Sequence, residues 1–336
     1  MSAWQGRSVF VTGAYGLLGS WLVKTLLEAD ARVTVLKRDA TATTALQLEG
    51  SEARVNVVHG DCTHPDTMDR TLGDYDVDTV FHLAAQTIVG AARRSPVSTF
   101  QVNVAGTWTV LEACRHHRVR RVIVASSDKA YGAHDELPYR EDFALRPRFP
   151  YDVSKAAADL IARSYWETYG LPVAVTRFAN LYGGGDLNPS RLIPEVVSAA
   201  ISGRPPIIRS DGSPERDFLY VEDAVAAYLL LAEALDGDGA AGQAFNAGAG
   251  RPHSVRELVE LICRVAETDV VPEFQGDSTL PGEIDRQFVD AAKLRSLTGW
   301  EPAVDLETGV GRTIDWYRRY PAALVPAGAA VAAPAS

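Results

Sequence analysis

Short runs of apolar, largely β-branched residues recur through the first half of the chain, and segments with helical periodicity separate them. Such runs are typical of strands buried on both faces, because a strand with one wet face alternates apolar and polar side chains. Strands and helices in alternation predict a parallel, doubly wound α/β sheet. The predicted strands span residues 8–12, 32–36, 55–58, 79–82, 121–125 and 172–178, and the clearest helices span 17–29, 98–117 and 152–169.

The pattern changes after residue 182, where the loop GGGDLNPS leads into shorter, mixed elements. We interpret residues 1–182 as the main domain, to which some later segments return, and residues 183–320 as a smaller mixed α/β lobe. Residues 321–336 are rich in alanine and proline and are predicted to be disordered. The helices expected in the second half span 191–202, 221–234, 254–266 and 291–297.

Composition narrows the class of protein. The 336-residue chain carries a formal net charge of −10, so neither nucleic acid nor a membrane is expected as a partner. Its three cysteines, Cys62, Cys114 and Cys263, have no metal-ligand spacing and indicate reduced thiols. The N-terminus leads directly into a strand, which argues against a signal peptide. We therefore predict a cytoplasmic protein without a metal site.

A glycine-rich turn, GAYGLLG, joins the first predicted strand to the first predicted helix. Glycines at this spacing permit a tight turn and let backbone N–H groups approach a pyrophosphate, and the helix N-terminus adds the positive end of a dipole. The turn therefore predicts a nicotinamide dinucleotide, NAD(P)+, on a Rossmann-type domain that performs redox chemistry. The turn residues expected to contact it are Gly13, Tyr15, Gly16, Leu17, Leu18 and Gly19.

The end of the second strand leaves the choice between NAD and NADP open. An acidic residue there would hold the ribose 2′-hydroxyl of NAD, but the sequence has Lys37 and Arg38, followed by Asp39. The two basic residues slightly favour NADP, whereas Asp39 serves NAD if the strand ends late. Asp61, after the third strand, is placed to reach the adenine, or it caps a turn. Further predicted cofactor contacts are Cys62, Leu83, Ala84 and Ala85.

Candidate catalytic residues lie on the helix 152–169 and at the end of strand 121–125. Tyr151 and Lys155 form a YxxxK pair whose spacing places both on one helix face. An ammonium beside a phenol favours the phenolate, so Tyr151 is predicted to act as a base below its usual pKa near 10. Lys155 is also expected to bind the nicotinamide ribose, and Ser127 to bridge Tyr151 and the substrate.

These motifs, taken together and in order, resemble those of the extended short-chain dehydrogenase/reductase family, whose members act on nucleotide sugars. The resemblance extends to about residue 320 and implies a tightly bound, recycled cofactor and hydride removal from C4 of the sugar. Members differ in whether the 4-keto sugar is epimerised, decarboxylated or dehydrated. The motifs that carry it are VTGAYGLLG, HGD, HLAAQ, NVAGT, SSDKAYG, YDVSK, RFANLYGGG, ERDFLYVED and LPGEIDRQF.

The two residues that directly follow Ser127 favour a dehydratase over the other activities of the family. A 4,6-dehydratase needs a base for the C5 proton and an acid for the leaving C6 hydroxyl. We interpret Asp128 as that acid and Lys129 as that base, with desolvation lowering the lysine pKa. The Asp-Lys pair resembles that of the CDP-glucose 4,6-dehydratases and also that of a UDP-N-acetylglucosamine dehydratase group. HLAAQ is similar to the CDP-glucose group, although the glycine turn and ERDFLYVED depart from it.

The prediction is therefore an NDP-hexose 4,6-dehydratase, with a CDP-glucose-like substrate, that forms an NDP-4-keto-6-deoxyhexose. The first alternative is an NDP-sugar 4-epimerase, in which Asp128 and Lys129 are only a strand-end turn. The second is a dinucleotide sensor without catalysis, against which Ser127, Tyr151 and Lys155 argue because a sensor has no need for them.

The resemblance also implies substrate contacts from the C-terminal lobe, where arginines must offset an acidic protein. Arg216 and Arg286 are similar to the family's diphosphate-binding arginines, and Asn180 to a residue that donates to the diphosphate. Arg191 is a further candidate, and Gln86 is expected near the sugar. The family relationship implies a homodimer through the helices 98–117 and 152–169.

Overall fold

A seven-stranded parallel sheet forms the centre of the computed structural model, which describes residues 3–39, 43–276 and 284–324. Its strand order is β10-β6-β5-β4-β1-β2-β3, which confirms the doubly wound α/β fold. The strands are β1 Ser8–Thr12, β2 Arg32–Lys37, β3 Asn56–His59, β4 Thr79–His82, β5 Arg121–Ala125, β6 Val173–Phe178, β7 Asn180–Tyr182, β8 Ile207–Ile208, β9 Glu215–Tyr220, β10 Ala244–Ala247, β11 Pro252–Ser254, β12 Glu273–Phe274 and β13 Arg286–Gln287.

Helices cover the sheet because its central strands are apolar on both faces: every residue of β1, β4 and β6 is buried. A π-helical turn, Gln101–Ala105, joins α5 to α6. The helices are α1 Leu17–Glu28, α2 Ala45–Leu48, α3 Pro65–Asp74, α4 Val89–Arg94, α5 Pro96–Phe100, α6 Gly106–His116, α7 Pro150–Tyr169, α8 Leu192–Ile201, α9 Val221–Ala234, α10 Val255–Val265, α11 Ala292–Thr298 and α12 Leu306–Arg319.

The chain reverses its direction across the sheet at β1. From β1 it runs outwards to β2 and β3, and then crosses back to pair β4 on the other side of β1. The loops after β1 and β4 therefore diverge at the carboxyl edge, and this is the crevice in which doubly wound sheets bind ligands. Both the glycine turn and the loop that follows HLAAQ lie there.

Two elements from the second half pack with the first. Strand β10 pairs with β6 and adds the seventh strand to the sheet. Helix α9 buries Ala224, Tyr228 and Leu231 in the same apolar cluster as Val9 and Leu22. The core therefore continues across residue 182.

The rest of the second half forms a smaller lobe. Strands β11, β9 and β13 form one sheet, in which β7 also pairs with β9, and helices α8, α10 and α12 pack together in a second apolar cluster. Of the tail predicted to be disordered, Pro321–Ala323 form a 3₁₀ turn in which Ala323 is buried, so residues 321–324 correct that prediction. Residues 325–336 lie outside the described residues. Within the described ranges, no helix is long and apolar enough to span a bilayer.

Candidate active site

The glycine turn after β1 is shaped by close contact with the loop after β4. Gly13 has φ +74°, and a Cβ there would lie 2.7 Å from the backbone of Leu83 and Ala84. A Cβ on Gly19 would collide with the backbone of the turn itself. At Gly16, by contrast, the nearest described atom to an added Cβ is 3.5 Å away. Gly13 and Gly19 are therefore required by packing, whereas Gly16 leaves the turn open to a ligand.

The start of α1 is suited to an anion. Among the described residues, no side chain caps this end of the helix, and its first turn contains no acidic residue. Its N–H groups and dipole are therefore available to a diphosphate, as the sequence predicts. In this turn Leu17 is buried, Tyr15 and Leu18 are partly buried, and Ala84 N donates to Thr12 Oγ1 at 3.2 Å. The residues present thus fit the pyrophosphate of a dinucleotide.

Lys37 and Arg38 both have carboxylate partners. Lys37 Nζ donates to Glu52 Oε1 at 2.7 Å, and Arg38 donates to Asp39 Oδ2 through Nε and Nη2, at 2.8 and 2.6 Å. These ion pairs weaken the argument from the two basic residues for a 2′-phosphate. Glu52, which also accepts from Tyr15, has no motif that identifies it in the sequence.

Asp61 has the geometry of a turn-capping residue. Its Oδ1 accepts from both the backbone N–H and the hydroxyl of Thr63, at 2.9 Å each. The neighbouring Cys62 side chain is buried against Gly106, and burial raises the pKa of its thiol to about 12. The capping interpretation of Asp61 therefore accounts for its hydrogen bonds. Ala85 lies elsewhere, in the loop after β4 that contacts the glycine turn.

Tyr151 and Lys155 both lie on the buried face of α7, as the spacing predicts. Lys155 Nζ donates to the Ala125 carbonyl at 2.8 Å, and burial lowers the pKa of this lysine to about 8. Burial raises the pKa of Tyr151 to about 12, although its hydrogen bond to the Ser127 side chain opposes that shift. The expected depression of the tyrosine pKa is thus wrong for the protein alone, because desolvation outweighs any stabilisation of the phenolate.

Asp128 is buried directly after Ser127. Its Oδ1 accepts from Ser127 Oγ at 3.0 Å, and its Oδ2 is buried with no hydrogen-bond partner in the part of the chain described. Burial raises the pKa of Asp128, more than the nearby cations Lys129 and Arg216 lower it. A carboxyl in this environment retains its proton more readily than one in water, which suits a general acid.

Lys129 is only partly buried and reaches across to the smaller lobe, where its Nζ donates to Gln287 Oε1 at 3.4 Å. Gln287 is completely buried, and its Nε2 has no partner among the described residues. Gln287 was not predicted, although it directly follows Arg286 inside the quoted motif LPGEIDRQF, which was the available signal.

Two buried carboxyl groups near Asp128 were also missed. Burial raises the pKa of Asp152 to about 6, with Asp128 adding to the shift and Lys129 opposing it. Burial likewise raises the pKa of Asp217 to about 6, although this carboxylate accepts from the N–H groups of Ala249 and Gly250. Both lie inside quoted motifs, YDVSK and ERDFLYVED, which were the available signal.

The predicted substrate arginines separate into two groups. Arg216 is buried, and its charge lowers the pKa of Asp128. Arg191 donates to Thr87 Oγ1 at 3.0 Å, and its charge lowers the pKa of Tyr151. These two converge on the site. Arg286 is mostly exposed and pairs with Glu215 at 2.7 Å.

Asn180 and Gln86, predicted to contact the diphosphate and the sugar respectively, have internal partners. Asn180 Nδ2 donates to the Asp217 carbonyl at 3.4 Å. Gln86 Oε1 accepts from Ile88 N at 2.9 Å, and Asn103 in the π-helical turn ties the Gln86 backbone to Ser154 of α7. Both residues are positioned at the carboxyl edge of the sheet.

The glycine cradle, the uncapped helix start and the Ser127–Tyr151–Lys155 set at one sheet edge define an enzyme that uses a nicotinamide dinucleotide. The chain belongs to the NAD-dependent epimerase/dehydratase family, whose model matches residues 9–248. Within the described ranges, no cluster of side chains is suited to a metal ion.

Relatives in this family bear the names of both dehydratases and epimerases. The chain is 34% identical over 335 residues to a dTDP-glucose 4,6-dehydratase of Streptomyces griseus, with 95% of the chain and 98% of the relative covered. It is 32% identical over 328 residues to a trifunctional UDP-glucose 4,6-dehydratase/3,5-epimerase/reductase of Arabidopsis thaliana. That alignment covers 95% of the chain but 48% of the relative, so the chain spans about half its length.

Solved structures show the same division. A dTDP-glucose 4,6-dehydratase of Streptomyces venezuelae, solved with NAD bound, aligns with a TM-score of 0.85 and 31% identity over 95% of this chain and 99% of that one. The UDP-glucose 4-epimerase of Thermotoga maritima, solved with UDP-glucose, aligns with a TM-score of 0.85 and 27% identity over 93% and 99%. The overall fold therefore does not separate the two activities.

Proposed function

We propose that the protein is an NDP-hexose 4,6-dehydratase that converts its substrate into an NDP-4-keto-6-deoxyhexose. The observation that carries the proposal is the buried Asp128 carboxyl, with its raised pKa and its unpartnered Oδ2, followed directly by Lys129. Elimination of water needs an acid and a base in addition to the Ser127–Tyr151–Lys155 set, and this pair supplies them. A 4-epimerase removes no water and therefore needs no acid for a leaving C6 hydroxyl.

In the first step Tyr151 takes the C4 hydroxyl proton as the C4 hydrogen leaves with its electron pair. When bound, the dinucleotide would supply the hydride acceptor for this oxidation and the hydride for the last step, at C6. Ser127 bridges the phenol and the C4 oxygen, and Lys155 would hold the dinucleotide ribose. Since burial raises the pKa of Tyr151 to about 12, its own phenolic proton must first leave to solvent, and the positive charge of Arg191 favours the resulting phenolate.

The second step eliminates water across C5 and C6. Lys129 takes the C5 proton, which the C4 ketone has acidified, and the electrons form the C5–C6 double bond. Asp128 gives its proton to the C6 hydroxyl, which leaves as water. When the hydride returns to C6, the C5–C6 double bond is consumed and Lys129 gives a proton back to C5, which yields the 4-keto-6-deoxy sugar. The buried Asp152 carboxyl lies close enough to Lys129 for their charges to interact, and therefore helps to hold the lysine in place.

The substrate is a nucleotide-diphosphate sugar held by the lobe of residues 183–320. Arg191 and Arg216 supply positive charge beside Tyr151 and Asp128 against the net charge of −10. Arg286 extends this charge to the lobe surface. The Asp-Lys pair favours a CDP-glucose-like substrate, whereas the relatives named above act on dTDP- or UDP-sugars by their names.

The test is incubation of the purified protein with CDP-, UDP-, dTDP- and GDP-sugars without added NAD, followed by mass spectrometry. We expect one substrate to lose one water, and in deuterated water to gain deuterium at C5. Lys129→Met should abolish water loss while C4 oxidation stays detectable, and Lys24→Met on α1 serves as the matched control. An isomeric product of unchanged mass would instead establish the 4-epimerase.

We also infer that the protein is a cytoplasmic homodimer. The three cysteines are free and buried, which suits a reducing compartment. Large apolar side chains are exposed on α5, α6 and α7, the helices through which a second copy would pack. These are Val97, Phe100, Trp108 and Leu160.

A further inference from the structure

Glu52 joins two predicted cofactor residues at the carboxyl end of β2. It lies in a 3₁₀ turn, Ser51–Arg54, and its Oε1 accepts from Tyr15 of the glycine turn at 2.8 Å and from Lys37 Nζ at 2.7 Å. Lys37 Nζ lies 5.1 Å from the centre of the Tyr15 ring. The Lys37 and Glu52 side chains are only 15% and 24% exposed, so water screens this pair incompletely.

The position of this cluster connects it to the adenosine ribose. In a doubly wound sheet the residue that ends β2 faces the ribose 2′ position, where a carboxylate accepts from the NAD hydroxyl and a cation binds the NADP phosphate. Here a cation, Lys37, ends the strand, but Glu52 neutralises it from another element. Arg38 is likewise neutralised by Asp39. The two ion pairs, Lys37 with Glu52 and Arg38 with Asp39, therefore carry no net charge at the position where NADP would place its 2′-phosphate.

We propose that Glu52 is the specificity-determining residue that selects NAD over NADP in this protein. Its carboxylate holds the Lys37 ammonium away from a 2′-phosphate. Tyr15 fixes the carboxylate next to the glycine turn, so the residue faces the dinucleotide. The inference rests on the use of NAD by the site and is independent of the reaction performed on the sugar.

The test compares Glu52→Gln with the wild-type chain after bound dinucleotide has been removed. Glutamine retains an oxygen to accept from Tyr15 but carries no charge. By calorimetric titration without any sugar, we expect NADP+ to bind Glu52→Gln roughly 10- to 100-fold more tightly than it binds the wild type, and NAD+ affinity to change only a few-fold. The dinucleotide released from the variant as purified should include NADP.

Two further variants make the result decisive. Glu49→Gln removes a carboxylate three residues away that pairs instead with Lys24 at 3.1 Å, and it should leave the preference for NAD intact. Adding Lys37→Met to Glu52→Gln should abolish the gain, because Lys37 is the cation that Glu52 releases. Thermal unfolding establishes that each variant is folded.

The proposal would be overturned if Glu52→Gln bound NADP+ no better than the wild type, or if the wild type bound both dinucleotides equally. If Glu52→Gln does not fold, two other variants test the proposal. Tyr15→Phe, which keeps the Glu52 carboxylate, must still prefer NAD, and Lys37→Met alone must leave the preference for NAD unaltered. A different result for either variant contradicts the proposal. Because no sugar is present, an epimerase outcome in the substrate panel leaves this inference standing.

Discussion

The Asp128 carboxyl is buried without a full set of hydrogen bonds. One oxygen accepts from Ser127 and the other has no partner among the described residues. An unsatisfied buried polar atom costs about 1–3 kcal/mol of stability. In its protonated form Asp128 avoids most of the larger cost of a buried charge, and the proton is then available to a leaving hydroxyl. The buried, incompletely hydrogen-bonded Asp128 carboxyl thus lowers stability, and the proposed elimination of water uses this same carboxyl as its acid.

Asp128→Asn should therefore separate the two half-reactions. We expect elimination of water to slow by roughly 10²- to 10⁴-fold, the usual contribution of a positioned acid, while oxidation at C4 persists. Dinucleotide reduction followed by absorbance would report oxidation, and product mass would report elimination. The exposed Asp142→Asn is the control. Equal loss of both half-reactions would show that Asp128 acts in binding or folding and not as the acid.

The same residue predicts a pH dependence. The acid form of Asp128 is the active one, so elimination by the wild type should decline as the pH rises through its raised pKa. In Asp128→Asn this decline should disappear from the residual rate. A wild-type profile without this decline, or a decline that Asp128→Asn leaves unchanged, would contradict the role of Asp128 as the acid.

Asp152 makes a prediction about stability. Its pKa is about 6 in the folded protein against an ordinary value of 3.8, so the unfolded chain loses this proton more readily. Its contribution to stability is complete below about pH 4 and is lost as the pH rises through 6. Asp152→Asn should thus raise the free energy of unfolding by roughly 1–2 kcal/mol at pH 7 and by little at pH 4. Urea unfolding at both pH values measures this, and destabilisation at pH 7 would contradict it.

At the scale of elements, α7 and the end of β5 hold the side chains that we propose are catalytic. Lys155 donates to the Ala125 carbonyl at the end of β5, and Ser126 Oγ donates back to the Lys155 carbonyl at 3.1 Å. Predicting α7 and β5 from the sequence was possible because α7 has a helical apolar period and β5 is a β-branched apolar run. Strand β10 was not predicted, because its residues AFNA include no β-branched side chain and its place depends on pairing with β6.

Glu52, Asp152 and Gln287 show why the sequence predicts a site only in part. Tyr151, Lys155 and Gly13 belong to local motifs, whose spacing is visible along the chain. Glu52 and Gln287 act through contacts with Lys37 and Lys129, 15 and 158 residues away in sequence. Such contacts arise only from the fold, and burial, which sets the pKa of Asp152, also comes from tertiary packing.

The glycine turn allows a prediction in which two glycines behave differently. Gly13 has φ +74°, and Gly13→Ala would place a Cβ 2.7 Å from the loop after β4. We therefore expect the variant to lose roughly 1–3 kcal/mol of stability and also to lose dinucleotide binding. Gly16 has φ −85° and open space, so Gly16→Ala should fold with a stability change below about 1 kcal/mol. Its NAD+ affinity should nevertheless fall about tenfold or more, because the added methyl faces the pyrophosphate.

Urea unfolding and NAD+ titration distinguish the two variants. Gly170→Ala, in the turn after α7, shares a positive φ but has nothing described within 4 Å, and it controls for backbone strain alone. Unchanged NAD+ affinity in Gly16→Ala would mean that the pyrophosphate does not lie on this turn.

At the scale of the whole molecule, both halves of the chain contribute side chains to one crevice. The Rossmann sheet supplies Asp128 and Tyr151 at its carboxyl edge, and the smaller lobe supplies Arg191 and Arg216. The strand order brings these together although nearly 90 residues separate Asp128 from Arg216 in sequence.

The exposed apolar side chains on α5, α6 and α7 give the last prediction. Trp108 is 48% exposed and Leu160 is 56% exposed, on two helices that pack side by side and present these residues to solvent. Covering them with the same face of a second copy would remove both from water with two-fold symmetry. We expect light scattering to give twice the chain mass of 36.3 kDa for the wild type, and Leu160→Arg to halve it, because a charge at the contact is buried unpaired. Val271 is also apolar and exposed but lies in the other lobe, so Val271→Arg should stay dimeric. A monomeric wild type would exclude this face as the interface. A Leu160→Arg variant that is as dimeric as Val271→Arg would exclude it as well.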